Sequence, residues 1–259
     1  MLPDILQRIV AAKRERLALA KQATPLRELR ARCADLPPTR GFAEALARPG
    51  LRIIAEAKKA SPSKGLIAPD FCVEAVVRRY AANGAAACSI LTEEQFFLGS
   101  LDFLWAARAA VDVPLLRKDF LFEDYQLFEA RAAGADAVLL IAAMLPDAQL
   151  ADLAAQAQEL GLDVLAEAHT EEEVDRLLTL GLRVIGINAR DLRTFATDLG
   201  RVRSLVARIP ADRLAVAESA IFSKADMAAT GATRFLIGEA LMRDPTLLGR
   251  LMADDAEEP

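Results

Sequence analysis

The sequence predicts an α/β protein that folds as a (β/α)8 TIM barrel with an N-terminal helical extension. Short apolar runs alternate with amphipathic stretches along most of the chain, and a glycine follows five of these stretches just before the next run. Buried parallel strands appear as continuous apolar runs, and glycine commonly follows a helix end because it adopts the left-handed conformation easily. These glycines are Gly84, Gly134, Gly161, Gly181 and Gly231. The alternation is typical of repeated strand–helix units.

Eight apolar runs are predicted to be strands. Their centres lie roughly 20–35 residues apart, which suits short loops between strands and helices. The runs are residues 51–57, 86–92, 113–119, 136–142, 163–168, 183–189, 214–219 and 234–239. Eight such units suit a closed barrel. An open doubly wound sheet is the alternative, and it is disfavoured because no G-x-G-x-x-G motif follows the first run.

The chain before the first strand is predicted to be a helical extension, residues 1–48, that caps one end of the barrel. Within it, residues 5–22 have the pattern of an amphipathic helix. Further along, Thr170 and Glu173 have the spacing of a capping box that opens a helix. We predict one domain for the whole chain, residues 1–259, because a barrel of this length forms a single unit.

Composition excludes several classes of protein. An apolar fraction of 53% with 27% charged residues excludes a disordered chain. A net charge of −5 argues against a nucleic-acid partner. Three cysteines without metal-type spacing and a single histidine, His169, argue against a zinc site. The start of the chain lacks a signal-peptide pattern, and the uncharged run at 137–146 is too short to span a bilayer. We expect a cytoplasmic monomer that needs no metal or cofactor.

Polar side chains end the predicted strands where the active sites of such barrels lie. Residues two apart on a strand point the same way, and several strands end with an ionisable or amide residue two positions after an apolar one. Six of these are expected to converge: Glu56, Lys58, Lys118, Glu167, Asn188 and Glu218. Burial shifts the pKa of Lys and Glu, so this mouth suits general acid–base chemistry. The alternative interpretation is that these six residues only form ion pairs at the rim of the barrel. His169 is interpreted as a loop or helix-cap residue outside this set.

Two further expectations concern Lys118 and its neighbours. Arg117 has the opposite parity and should point out of the barrel. Lys58, a second cation at the mouth, should lower the pKa of Lys118 and make it a better acid.

A phosphate site is predicted at the same mouth. Barrels often bind phosphate through the loops after the seventh and eighth strands, where this chain has Ser219 and Gly238. The loop after the first strand adds Ser61 and Lys64. Any one of these loops could be an ordinary turn. Because all three lie on one face of the barrel, together they indicate a small phosphorylated substrate.

Six motifs at the strand ends resemble the indole-3-glycerol phosphate synthase family. They are IIAEAKKASPSKG (53–65), SILTEEQFFLGS (89–100), PLLRKDF (114–120), GINARDL (186–192), VAESAI (216–221) and FLIGEALM (235–242). The resemblance covers nearly the whole chain. It implies a barrel enzyme of tryptophan biosynthesis that closes and decarboxylates a carboxyphenylamino-deoxyribulose phosphate without a cofactor.

The resemblance also implies roles. Lys118 matches the general acid of ring closure, and Glu167 matches the base of the later dehydration. Lys58, beside Glu56, matches a lysine that binds the anthranilate-derived carboxylate and can serve as a second acid.

Further matching positions bind the substrate. Asn188, Arg190 and Glu218 match residues that hold its carboxylate and hydroxyls. Positions around the phosphate are matched by Ser61, Ser219, Gly238 and Glu239. The chain departs from the family at Ala220, where the usual residue is glycine; if the backbone there needs a positive φ, alanine is strained.

Two other functions remain open at this point. A Schiff-base aldolase would use Lys118 or Lys58 as a nucleophile. A barrel that only binds a phosphorylated metabolite would not need Glu167.

Overall fold

The computed structural model describes residues 4–191 and 193–253, and within them eight parallel strands close into a barrel. The barrel strands are β1 (Arg52–Ala57), β2 (Ala87–Leu91), β3 (Leu115–Lys118), β4 (Ala137–Ile141), β5 (Asp163–Ala168), β6 (Val184–Asn188), β7 (Leu214–Glu218) and β8 (Arg234–Ile237). Because β8 also pairs with β1, the predicted closed barrel is confirmed and the open sheet is wrong. Leu192 and the ends of the predicted domain, residues 1–3 and 254–259, lie outside the described residues.

Helices precede the barrel and follow each of its strands. Before β1 lie α1 (Asp4–Ala23), α2 (Leu26–Ala34) and α3 (Phe42–Ala47). After the strands come α4 (Val73–Ala82), α5 (Leu101–Ala110), α6 (Asp124–Ala132), α7 (Asp147–Glu159), α8 (Glu171–Thr179), α9 (Leu199–Val206), α10 (Lys224–Thr230), α11 (Glu239–Arg243) and α12 (Leu247–Met252). None of the helices in the described part of the chain is long and apolar enough to cross a membrane.

The predicted helix boundaries are mostly confirmed. Each of the five glycines has a positive φ, between 71° and 89°. Thr170 caps α8 by accepting a hydrogen bond from the backbone N–H of Glu173. The reciprocal half of the predicted capping box is wrong, because the Glu173 carboxylate accepts from the backbone N–H of His169 instead, at 2.6 Å. A short hairpin after β1, pairing Ala60–Ser61 with Gly65–Leu66, was not predicted.

The interior of the barrel is packed with the inward side chains of the strands. Ile54, Leu116 and Val216 belong to this buried cluster. Phe42 and Leu46 of α3 belong to the same cluster and are fully buried. The third helix of the extension therefore closes the end of the barrel that lies away from the carboxyl ends of the strands.

The first helix of the extension lies at the opposite end. Leu6 and Ile9 of α1 are buried, and Lys13 forms an ion pair with Asp119, which directly follows β3. The predicted extension therefore contacts both ends of the barrel rather than one.

Candidate active site

One cavity opens at the carboxyl ends of the strands, and all residues that the sequence analysis assigned to the site except Lys64 line it. These residues are Glu56, Lys58, Ser61, Lys118, Glu167, Asn188, Arg190, Glu218, Ser219, Gly238 and Glu239. They meet because the last inward positions of parallel strands face the same end of a barrel. Arg117 points the other way, as predicted, and donates to the backbone oxygen of Gln126 in α6.

Lys118 lies at the centre of the site between two carboxylates. Its Nζ is 2.8 Å from Glu167 Oε2 and 2.9 Å from Glu218 Oε2. Burial alone would lower the pKa of Lys118, but the charges of Glu167, Glu218 and Glu56 outweigh burial and raise it. The predicted lowering by Lys58 is therefore wrong, because the nearest charges around Lys118 are negative.

The two carboxylates that hold Lys118 have different proton affinities. Burial raises the pKa of Glu218 to about 7, against the opposing effect of Lys118. For Glu167, burial is outweighed by Lys118 and His169, which lower its pKa to about 2. Glu218 Oε1 is buried with no hydrogen-bond partner among the described residues. The site therefore favours ionised Glu167, whereas Glu218 keeps its proton to a higher pH than an ordinary carboxyl group.

Two glycines leave room for these carboxylates. An ideal Cβ at Gly186 would overlap Glu218 Oε1, and one at Gly238 would overlap Glu56 Oε1. The Gly238 Cβ would also lie 2.9 Å from Lys58 Nζ. Gly238 thus admits the ion pair between Glu56 and Lys58, whose Oε1 and Nζ are 2.6 Å apart.

Asn188 and Arg190 continue the polar wall beyond β6. Asn188 donates to Glu167 Oε1 at 3.2 Å, and its own side-chain oxygen accepts from the backbone N–H of Arg190 at 3.0 Å. Arg190 donates to the backbone oxygen of Phe195 at 3.1 Å. These bonds orient both side chains before any substrate is present.

The predicted phosphate loops have special backbone geometry. Ser219 has a φ of 69° and Ala220 a φ of 56°. Ala220 therefore stands in a left-handed conformation where glycine would carry no strain. Opposite this loop, Glu239 is held by Lys64 at 3.6 Å and by Arg243 at 3.0 Å.

The cavity also has an apolar wall that the sequence analysis largely missed. Its aromatic side includes Phe97 and Phe120, whose ring centroids are 6.0 Å apart. Phe97 comes from the loop after β2, within the motif at residues 89–100. Helix α1 contributes the rest, namely Ile5, Leu6 and Ile9. No local motif could reveal that a helix so far from the strands in sequence lines the site.

His169 was placed outside the site by the sequence analysis, but its side chain lies against Glu167. Its backbone is in the turn between β5 and α8, as predicted. The imidazole Nε2 is 3.4 Å from Glu167 Oε1. A signal was present, because His169 is two residues after Glu167 and so faces the same way.

Comparison with known proteins agrees with this geometry. A family model described as indole-3-glycerol phosphate synthase matches residues 6–250. The chain belongs to the indole-3-glycerol phosphate synthase family. The resemblance seen in the strand-end motifs is thereby confirmed.

Curated members of the indole-3-glycerol phosphate synthase family are similar over almost their full length. The synthase of Azospirillum brasilense is 48% identical over 247 residues, which cover 93% of this chain and 94% of that protein. The synthase of Laribacter hongkongensis is 49% identical over 249 residues, covering 93% and 95%.

A solved structure supports the fold alone. The N-acetylmannosamine-6-phosphate 2-epimerase of Clostridium perfringens superposes with a TM-score of 0.59 at 15% identity, covering 77% of this chain and 91% of that one. At this identity the likeness concerns the barrel and not its chemistry.

Proposed function

We propose that Lys118, Glu167 and Lys58 carry out the reaction that this chain catalyses as a member of its family. That reaction converts 1-(2-carboxyphenylamino)-1-deoxyribulose 5-phosphate into indole-3-glycerol phosphate by ring closure, loss of CO2 and loss of water. The chain is thus a carboxy-lyase of tryptophan biosynthesis. The observation that carries the assignment of roles is the position of the Lys118 ammonium between two buried carboxylates.

Ring closure needs an acid at the ribulose carbonyl. When the aromatic carbon attacks this carbonyl, its oxygen becomes an alkoxide, which a nearby proton donor stabilises. Lys118 can supply that proton even with a raised pKa, because an alkoxide is more basic than an amine. Its ion pairs also hold the ammonium in place before the substrate arrives.

Loss of CO2 is assigned to the Lys58 side of the cavity. Lys58 forms an ion pair with Glu56, and the carboxylate of the substrate would take the place of Glu56 as its partner. The neighbouring wall of Phe97, Phe120 and α1 suits an aromatic ring. Once CO2 leaves, the bonding electron pair stays on the ring carbon and restores aromaticity.

Loss of water needs a base and an acid. Glu167 is ionised and accepts a proton from the carbon next to the ring nitrogen, while Lys118 or Lys58 protonates the leaving hydroxyl. Asn188, Arg190 and Glu218 are assigned to the hydroxyls of the substrate. Glu218 Oε1, which has no hydrogen-bond partner among the described residues, suits this role, since it can accept or donate according to its protonation.

The phosphate is assigned to the loops that contain Ser61, Ser219 and Gly238. Ser61 and Ser219 can donate hydroxyl hydrogen bonds, and Gly238 allows a close approach of the backbone. Glu239 would contribute its backbone, because Lys64 and Arg243 already hold its carboxylate. We also propose that the protein works as a cytoplasmic monomer.

The direct test is indole fluorescence. The purified protein mixed with the carboxyphenylamino-deoxyribulose phosphate should generate it, with or without chelator, because no proposed step requires a metal. An inactive, folded protein that still binds the compound would favour the binding-only alternative. Covalent trapping of Lys118 or Lys58 by borohydride in the presence of substrate would favour the aldolase.

A further inference from the structure

His169 lies buried between two carboxylates on different elements. Its Nε2 is 3.4 Å from Glu167 Oε1 of β5, and its Nδ1 is 3.6 Å from Glu173 Oε2 of α8. The imidazole is 9% exposed, whereas Glu173 is 15% exposed and stands nearer to solvent. His169 thus connects the interior of the active site with a carboxylate at the start of α8.

The surroundings of His169 favour its charged form. Neither ring nitrogen has an aligned hydrogen bond to any described residue, and a buried polar group without such a bond is costly. The groups that face it are the carboxylates of Glu167, Glu173 and, across the barrel, Glu218. Burial alone would lower the pKa of His169, but these carboxylates raise it.

The reaction creates a need for a proton at this place. Two protons enter the substrate, one at the alkoxide of ring closure and one at the leaving hydroxyl, while one proton is removed during dehydration. The substrate carboxylate departs as neutral CO2, so one proton per turnover must come from solvent. Lys118 and Glu167 are 13% and 4% exposed, and bound substrate would cover them further.

We propose that His169, whose charged form is stabilised by Glu173 at Nδ1, supplies this proton from Nε2 to Glu167, from where Lys118 is recharged. In each turnover the Nε2–H bond of the imidazolium breaks and the proton passes to Glu167 Oε1, which leaves neutral His169 with its remaining proton on Nδ1, facing Glu173. Nε2 regains a proton from solvent when the product leaves the site. Glu167 passes its proton from Oε2 to Lys118 Nζ across their 2.8 Å contact. His169 acts through Glu167 and is a positioning and proton-carrying residue, not a catalytic one. The proposal rests on the proposed function.

The decisive test uses His169→Gln and His169→Ala in the full-length enzyme. Turnover should fall by about tenfold to a hundredfold, less than the ~10²–10⁴ expected for loss of a directly placed acid. Wild-type turnover should decline as pH rises through the pKa of His169, because the carrier then stays uncharged, and His169→Gln should lack that decline. Added imidazole should restore His169→Ala at least severalfold, because it can enter the space left by the side chain.

Glu173→Gln provides a second variant that does not disturb the interior. It keeps an oxygen that can accept from the backbone N–H of His169 but has no negative charge to stabilise the imidazolium, so turnover should fall severalfold. Glu172→Gln, one residue earlier and exposed, is the matched control and should behave as wild type.

Several results would overturn the carrier role. They are unchanged turnover in both His169→Gln and Glu173→Gln, or a His169→Gln profile that stays parallel to wild type with no imidazole rescue. If His169 variants do not fold, unchanged turnover in Glu173→Gln overturns it alone. Failure of the proposed function is distinguishable, because the wild type itself would then be inactive.

Discussion

At the scale of single residues, the charge around Lys118 determines how it can act. An ammonium held by Glu167 and Glu218 keeps its proton until a stronger base, such as an alkoxide, forms next to it. The substitution Lys118→Arg keeps the positive charge, but arginine effectively never releases its proton. Turnover should therefore fall by ~10²–10⁴, while substrate affinity in equilibrium binding should change far less.

A matched control for this experiment is Lys21→Arg. Lys21 forms an exposed ion pair with Glu123 on the outside of the protein, so turnover should stay unchanged. A Lys118→Arg enzyme within a few-fold of wild type would show that Lys118 acts only through its charge, and Lys58 would become the candidate acid.

Glu218 should make stability depend on pH. The folded protein raises its pKa to about 7, whereas the unfolded chain has the ordinary value of about 4.3. The folded state therefore holds this proton more tightly, and its contribution to stability is lost as pH rises through that interval. Glu218→Gln has no proton to lose, so its free energy of unfolding relative to wild type should increase between about pH 5 and pH 8.

Urea unfolding at the two pH values measures this difference. Glu172→Gln is the control. Because Glu172 is exposed and ionised at both pH values, the difference in free energy of unfolding between this variant and wild type should not change with pH. If the difference in free energy of unfolding between Glu218→Gln and wild type is also the same at both pH values, Glu218 is ionised over the whole interval.

Ala220 offers a test of backbone strain. Its φ of 56° lies in the left-handed region, which costs an alanine roughly 1–2 kcal/mol. Ala220→Gly should raise the free energy of unfolding by about 1 kcal/mol after the greater flexibility of glycine in the unfolded chain is counted. The same change at Ala229, exposed in α10, should lower it by about 0.5–1 kcal/mol. Two changes of the same sign in urea unfolding would contradict this explanation.

At the scale of elements, α1 is attached to the active site by a buried ion pair. Lys13 Nζ is 2.9 Å from Asp119 Oδ1 and 2.6 Å from Glu94 Oε2. Lys13→Met should lower the free energy of unfolding by about 3 kcal/mol, because it leaves a buried carboxylate short of a partner.

The exposed pair of Lys21 with Glu123 provides the comparison on the same helix. Lys21→Met should cost less than about 1 kcal/mol. If both variants lose a similar free energy of unfolding in urea, the charge of the Asp119 carboxylate is sufficiently balanced by Arg117, which lies 3.1 Å from it.

At the scale of the whole molecule, we propose that the extension and the barrel form one domain. Phe42 and Leu46 of α3 share a buried cluster with the interior of the barrel, and α2 packs against α6. Helix content and the fluorescence of Trp105, the single tryptophan, should therefore change together in one unfolding transition. A loss of helix that precedes the fluorescence change would show that the extension unfolds separately.

The strands and the inward side of each strand could be predicted because they depend on local patterns. A continuous apolar run is enough to locate a buried parallel strand, and alternation along it identifies which residues share a direction. All eight strands are where the runs predicted, and Glu56, Lys118, Glu167 and Glu218 line the cavity for the same reason.

The properties that depend on distances between residues remote in sequence could be learned only from the tertiary structure. The pKa of Lys118 is raised because carboxylates 49 and 100 residues away in sequence lie within 3 Å of its Nζ. Helix α1 reaches the cavity through packing that has no local sequence pattern. Electrostatic interaction falls with distance in space rather than along the chain, so the proton affinities of this site follow only from the closed barrel.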